Sequence, residues 1–279
     1  MGNLSVVITG TSSGIGEACA LYLSRKGFHV FAGVRNGHDG DALLQESSEN
    51  ITPLLLDVTD HESIATSLKK VSDATNKNLF ALINNAGIAF GGPLEMVSLF
   101  DIQHLIEVNV TGVFAVTKAF IPLLRNNGGG RIVNMGSMAG FFAFPGLSVY
   151  SASKYALRAI NDSLRLELSP SNISLSIVEL GKIKTPMWDK AVHSADETLC
   201  EAQDDMMTRY SSLINRLRQY IQNPNALMPD KVAQTVFHIL TSKKPKNRYL
   251  LGKDSLLFNL MRNLPFAIRE KLLLWNPLK

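Results

Sequence analysis

The sequence predicts an α/β fold built on one doubly wound parallel sheet, and three observations lead there. Short apolar runs alternate with longer amphipathic ones along the whole chain. The apolar runs are continuous rather than alternating in polarity, as strands buried on both faces require. A glycine-rich turn, ITGTSSGIGEA, stands at the junction of the first apolar run and the first amphipathic one.

Taken in order, SVVITG is the first strand and GEACALYLSRKG the first helix, with Gly27 suited to its C-terminal cap. HVFAGVR is the second strand, and the polar stretch after it receives no element. ITPLLLDV is the third strand, DHESIATSLKKVSDAT a helix, and FALINNAG the fourth strand. A long helix is expected over about 101–126, closed by the stop-and-turn RNNGGGR. GRIVNMGS is the fifth strand, 148–168 a helix, ISLSIVEL the sixth strand and NRYLLG the last. Strands alternating with helices in this way imply a parallel sheet with helices on both faces. No linker or internal repeat divides residues 1–279, so a single domain is expected. The alternation breaks at about 186–226, read as a helical insertion over the carboxyl ends of the strands, where ligands bind in such sheets. Residues 254–279 form an amphipathic tail.

Composition narrows the function. Hydrophobic residues make up 46% of the chain and charged residues 19%, which excludes a disordered protein. The net charge of +4 is too small and too dispersed for a nucleic-acid partner, yet it suits an anionic small ligand. Cys19 and Cys200 offer no disulfide framework, and the six histidines show no ligand spacing, so no metal is expected. The N-terminus opens on a strand-like run, so no signal peptide is expected, and Val6 stands where a myristoylation motif requires Ser or Thr. No run of about 18 apolar residues suggests a membrane-spanning helix. A cytoplasmic protein is the expectation.

The glycine turn carries the first chemistry. Gly10, Gly14 and Gly16 form G-x-x-x-G-x-G at the first strand-to-helix junction, the Rossmann-like position. Glycines there permit a tight turn and let the backbone approach a pyrophosphate at a helix N-terminus. No Gly-Lys-Ser/Thr follows, which disfavours a nucleoside-triphosphatase loop. At the end of the second strand an NAD site presents an acid to the adenosine ribose; here Arg35 stands instead. A guanidinium suits a 2′-phosphate, and the Ser13 hydroxyl can bond the same group, so NADP(H) is expected ahead of NAD(H).

VYSASKYAL carries the second. Tyr150 and Lys154, four apart on a helix, project from one face about 6 Å apart. A cation one turn away favours a phenolate and should lower the tyrosine pKa toward working pH, making the pair a proton donor and acceptor. The small Ser151, Ala152 and Ser153 leave room for something flat to approach.

These pieces resemble the short-chain dehydrogenase/reductase family over nearly the whole chain. The matches are TGTSSGIG, NNAG at 84–87, Asn109 in VNVTG, Ser137 in VNMGSMAG, and YSASK. The glycine spacing is that of the family's main branch. The resemblance implies that Tyr150 is the general acid or base at the substrate oxygen and that Lys154 lowers its pKa and binds the nicotinamide ribose. It implies that Ser137 bonds the substrate oxygen and that Asn109 holds a water in a proton relay. It assigns cofactor contacts to the glycine turn with Ser12 and Ile15, to Asp57 and Val58 near the adenine, and to Asn84, Ala86 and Gly87 along the groove. In LGKIKTPM, Leu180 stands where the family has proline, while Gly181, Ile183 and Thr185 keep the nicotinamide pattern.

Within the family, HVFAGVRN, GRIVNMGSMAGFFAFPG and NRYLLGKDSLLFNLMRNLP are most similar to the retinol and hydroxysteroid dehydrogenases. The candidate pocket residues Met138, Phe144, Leu147, Met187 and Trp188, with Phe141 and Phe142, agree with a bulky apolar alcohol or carbonyl. A non-catalytic dinucleotide sensor or scaffold is the alternative, which the intact Asn109, Ser137, Tyr150 and Lys154 disfavour. The resemblance also implies a homodimer or homotetramer paired through the two long helices. For the tail, a clamp on the substrate entrance or a neighbouring subunit is preferred to an interfacial segment lying on anionic lipid.

Overall fold

The computed structural model describes residues 4–46, 50–189, 191, 204–222 and 226–274. Cys200, Trp275 and the stretches of the insertion at 192–203 and 223–225 lie outside the described residues. Seven strands form one sheet: β1 (Ser5–Ile8), β2 (His29–Val34), β3 (Ile51–Leu55), β4 (Ala81–Asn84), β5 (Gly130–Ser137), β6 (Ile173–Leu180) and β7 (Arg248–Leu251). Their order is β3-β2-β1-β4-β5-β6-β7, and every pairing is parallel. The order reverses between β1 and β4, and a crevice opens at the carboxyl ends there.

Two apolar layers sandwich the sheet. On one face α1 (Gly14–Arg25) and the helix Pro229–Thr241 bury Cys19, Leu23, Val232, Val236 and Ile239 against Val6, Ile8 and Val30. The Tyr22 and Phe237 rings meet edge to face at 5.9 Å in that layer. On the other face α3 (His61–Ala74) and α5 (Gly112–Asn126) bury Ile64, Val71, Val116, Phe120 and Leu124 against Val7, Phe31, Leu82 and Ile132. The Asp60 carboxylate caps α3 by accepting from the Glu62 amide. Gly27 sits at φ +86 just after α1, as its place in the sequence suggested, and its amide bonds the Ser24 carbonyl at 2.9 Å.

The structure differs from the sequence reading in two places. The polar stretch after β2 holds a helix, α2 (Gly37–Glu46), with Gly40 and Leu43 as its buried contacts. So thin an apolar stripe leaves almost no periodic signal, although Asn36 Oδ1 accepts from the Asp39 amide as an N-cap does. The expected long helix is α4 (Leu99–Ile106) and α5 joined by a π-helical turn, Glu107–Thr111. The run from Leu99 to Asn126 is long and apolar enough to cross a bilayer by length and composition. Its Val116, Phe120 and Leu124 are nevertheless fully buried against the sheet, so it serves as a core helix. The tail folds as two short helices, Lys253–Met261 and Phe266–Leu274, separated at Pro265.

The helix α6 (Ser148–Glu167) lies beside α4 and the π turn. Within the insertion, α7 (Asp204–Gln222) sets Leu213 and Leu217 over Gly146, and Leu217 over Gly91 and Leu147 as well. The Tyr210 hydroxyl bonds Glu95 Oε2 at 2.6 Å, tying α7 to the loop that follows β4. This part of the insertion therefore covers the carboxyl end of the sheet.

Candidate active site

The crevice is lined first by the glycine turn. Gly10 has φ +68, and a Cβ there would lie 2.8 Å from Ala86 Cα, so the two loops touch through backbone alone. A Cβ on Gly16 would overlap the Gly10 carbonyl oxygen, which lets α1 begin directly under the turn. Asn85 fastens these loops: its amide nitrogen donates to the Thr9 and Gly10 carbonyls at 2.9 and 2.8 Å. Thr9 Oγ1 accepts from the Asn85 and Ala86 backbone amides. Neither Thr9 nor Asn85 was singled out from the sequence; both stand inside quoted motifs, ITG and NNAG, and the two hydrogens of a carboxamide nitrogen are what lets Asn85 bond both carbonyls.

Arg35 follows β2 directly and is exposed at the rim. Asp57, after β3, accepts from the Thr59 amide and hydroxyl through Oδ1. Val58 beside it packs on Gly112. Thr185 lies against Gly14 across the crevice, and Ile183 bridges to Leu227. The turn at Leu180 is braced by a carboxylate where the family has a stiff proline. Asp254 Oδ2 accepts from the Lys182 amide at 2.8 Å, and Oδ1 accepts from the Ser255 amide. Asp254 thus presses on Gly181 from the tail side.

Asn84 behaves differently from its implied groove role. Its side chain is buried and donates to Thr117 Oγ1 and Asn134 Oδ1, both at 2.9 Å. Asn134 in turn donates to Asn161 Oδ1. This network ties β4, β5, α5 and α6 together beneath the site rather than facing it, because the side chains of Asn84 and Asn85 leave the strand end on opposite sides. Ala86 lies against Gly10, and Gly87 sits beside Asn109 Oδ1 and Lys154 Nζ.

Tyr150, Lys154, Ser137 and Asn109 converge at its far end. Ser137 closes β5, and its hydroxyl is hydrogen-bonded to Tyr150. The Ser137 oxygen also accepts from the Ala139 amide. Lys154 lies with Nζ 5.7 Å from the Tyr150 ring centre and donates to the Met135 carbonyl at 3.1 Å. Asn109, in the π turn, accepts from the Ile88 amide and donates to the Ile88 carbonyl and to Ser153 Oγ. A wider helical turn aims this side chain at the β4 loop, and such bulges recur at functional sites. Ser153, also missed in the sequence, donates to the Tyr150 carbonyl at 2.7 Å and so joins Asn109 to α6. Both Asn109 side-chain amide hydrogens are committed to protein, so a relay water there can be held only by acceptor oxygens of this residue.

The electrostatics correct one expectation. Burial pushes the Tyr150 hydroxyl up to about 12, and the Ser137 hydrogen bond works against that rise. Burial likewise pulls the Lys154 ammonium down to about 8. The expected lowering of Tyr150 by Lys154 is outweighed, because removing both groups from water disfavours both charged forms. At neutral pH the pair is a protonated tyrosine beside a largely protonated lysine.

The apolar candidates divide. Phe144, Leu147 and Trp188 gather with Tyr150, Phe90 and Leu217, and the Trp188 ring meets Tyr150 edge-on at 5.5 Å. Met138, Phe141 and Phe142 pack behind the loop with Phe258 and Met261 of the tail. Met187 is half-buried next to Trp188 in the chain.

The chain is 35% identical over 276 residues to an uncharacterized oxidoreductase, YusZ, of Bacillus subtilis, covering 96% of each chain. It is 34% identical to mouse retinol dehydrogenase 5 over 285 residues, covering 97% of this chain and 87% of that one. The closed form of a serine dehydrogenase complexed with NADP+ superposes with a TM-score of 0.76 at 26% identity, over 89% of this chain and 94% of that one. Residues 5–196 match the short chain dehydrogenase family. With the crevice at the sheet's switch point and the tyrosine and lysine of α6 at its end, the chain belongs to the short-chain dehydrogenases and is an oxidoreductase.

Proposed function

We propose that the protein is an NADP(H)-dependent oxidoreductase that interconverts a hydrophobic alcohol and its carbonyl. One observation carries the reading. The Tyr150 hydroxyl is bonded to Ser137 one helical turn from Lys154, and the Tyr150 side chain packs among Phe144, Leu147 and Trp188.

The residues around the crevice fit a nicotinamide dinucleotide, and the superposed serine dehydrogenase holds NADP+. Glycines 10, 14 and 16, with Ser12, Ser13 and Ile15, would hold the phosphates, and Asp57 and Val58 the adenine side. Ala86, Gly87, Gly181, Ile183 and Thr185 would line the groove toward the nicotinamide. The cofactor supplies or accepts the hydride when bound. In reduction, Ser137 bonds the substrate oxygen and Tyr150 transfers its phenolic proton to it. Lys154 then balances the phenolate left behind, where a buried cation acts strongly. Asn109 and Ser153 hold the β4 loop and α6 in register. The wall over Tyr150 excludes water and accepts an apolar substrate, in keeping with the name of the mouse relative. Following nicotinamide absorbance with retinoid, steroid and fatty carbonyls, NADPH against NADH, tests the whole reading. No turnover with any carbonyl would sink it.

Arg35 is the proposed cofactor selector. Arg35→Asp should reverse it, because a carboxylate repels a 2′-phosphate and accepts from a ribose hydroxyl. The ratio of kcat/KM for the two cofactors should shift toward NADH by at least tenfold, about 1.4 kcal/mol. A smaller shift removes Arg35 from this role.

We also propose a homo-oligomer paired through α4, α5 and α6. Leu99 and Phe100 are each 75% exposed, and Leu166 is 65% exposed. Light scattering at micromolar concentration should show a dimer or tetramer, and a monomer throughout would contradict it.

A further inference from the structure

A clamp on the chain's own core accounts for only one face of the tail. The inner face of the helix Lys253–Met261 buries Phe258 and Met261 under Met138, Phe141 and Phe142, with the Phe142 and Phe258 rings 4.8 Å apart. Its outer face is apolar too. Leu256, Leu257 and Leu260 stand exposed there, and Leu264, Phe266 and Ile268 continue the exposed surface into the helix Phe266–Leu274. A contiguous exposed apolar patch of this kind marks an interaction surface.

Cations surround it. Residues 253–274 carry Lys253, Arg262, Arg269 and Lys271 against Asp254 and Glu270. Asp254 is held by the Lys182 and Ser255 amides. Next to the patch, three guanidiniums share one buried acid among the described residues. Arg248 Nε donates to Glu179 Oε2 at 2.9 Å, and Arg158 Nε lies 3.8 Å from Glu179 Oε1. Arg262 and Arg248 both lie over the Phe141 ring, at 5.8 and 5.9 Å. Burial first, and then Arg248 and Arg158, disfavour the charged form of Arg262, and Glu179 offsets the two neighbouring cations only in part. The cluster therefore keeps an excess of positive charge beside the apolar patch.

We propose that the outer face of the two tail helices, with the Arg158–Arg248–Arg262 cluster, docks the protein onto a membrane surface bearing anionic headgroups. Apolar side chains enter the headgroup–acyl boundary while guanidiniums meet phosphate or carboxylate groups, the arrangement of interfacial helices. A second copy of the chain is the less suited occupant. An isologous contact sets the same patch against itself and would bring the two basic clusters together. The docked face lies directly behind the loop that follows Ser137, so an apolar substrate dissolved in the bilayer reaches the enzyme near its pocket.

The test uses the full-length protein and sedimentation with phosphatidylcholine vesicles, with and without about 30 mol % phosphatidylserine. Binding should require phosphatidylserine and weaken as salt rises. The double variant Leu260→Glu/Phe266→Glu should bind at least about tenfold more weakly. Arg262→Gln should weaken binding to the anionic vesicles alone. Reduction of a water-soluble carbonyl should be unchanged in both variants. Binding is read without turnover, so it stands or falls separately from the proposed reaction. Equal sedimentation with both vesicle types, or undiminished binding by the double variant, would overturn the proposal. So would a loss of oligomer in the double variant with vesicle binding intact, which would assign the face to a second copy.

Discussion

Tyr150→Phe is expected to lower kcat by about 10²–10⁴-fold, the usual worth of general acid–base catalysis, while cofactor affinity stays nearly unchanged. The ring keeps its edge contact with Trp188 and its place in the apolar cluster around Leu105 and Leu147. What disappears is the hydroxyl bonded to Ser137. Loss of a group that acts in the transition state reduces kcat and kcat/KM together. Cofactor binding followed by fluorescence titration, beside steady-state rates, separates the two effects. A variant that turns over at the wild-type rate would remove Tyr150 from the chemistry.

Lys154→Met is expected to abolish most activity and yet stabilise the fold. Lys154 is 8% exposed, and burial holds its ammonium at about 8 against an ordinary 10.5. The folded chain therefore binds fewer protons than the unfolded one between those two values. Stability conferred by this site rises as pH climbs from about 8 to 10.5, and below 8 the penalty for burying the charge is complete. That penalty is about 3 kcal/mol, offset by about 1 for the hydrogen bond to the Met135 carbonyl that Met cannot make. A net gain of about 2 kcal/mol at pH 7 should appear in urea unfolding, shrink as pH rises past about 8 and reverse by pH 10.5, where only the lost hydrogen bond remains. Tyr150 acts in the opposite sense: raised to about 12, it makes stability fall as pH rises from about 10 to 12. A Lys154→Met variant no more stable than wild type at pH 7 would show that the ammonium is well solvated.

Much of the site was legible in the chain because its requirements are local. Gly10 and Gly14 are demanded by positive φ, and Gly16 by the approach of a neighbouring backbone. The Tyr150–Lys154 spacing follows from the helix repeat. What depended on distant partners was not legible. Asn85 matters through bonds to Thr9 and Gly10 on another strand end, and Ser153 through Asn109 on another helix. Asn84 and Asn85 are adjacent identical residues, and the direction of each side chain decides which one serves the core and which the crevice.

By itself the sequence determined the parallel sheet, the order of its strands along the chain, the place of the crevice and the residues at its end. Hydrophobic periodicity and backbone sterics act over a few residues, and both are written along the chain. Tertiary structure alone decided the charge state of the pair, since desolvation depends on everything packed around Tyr150 and Lys154. It decided that Asp254 from the tail braces the turn at Leu180. It also decided which face of the tail is covered and which is bare, because equally apolar Phe258 and Leu260 differ only in what the fold places against them.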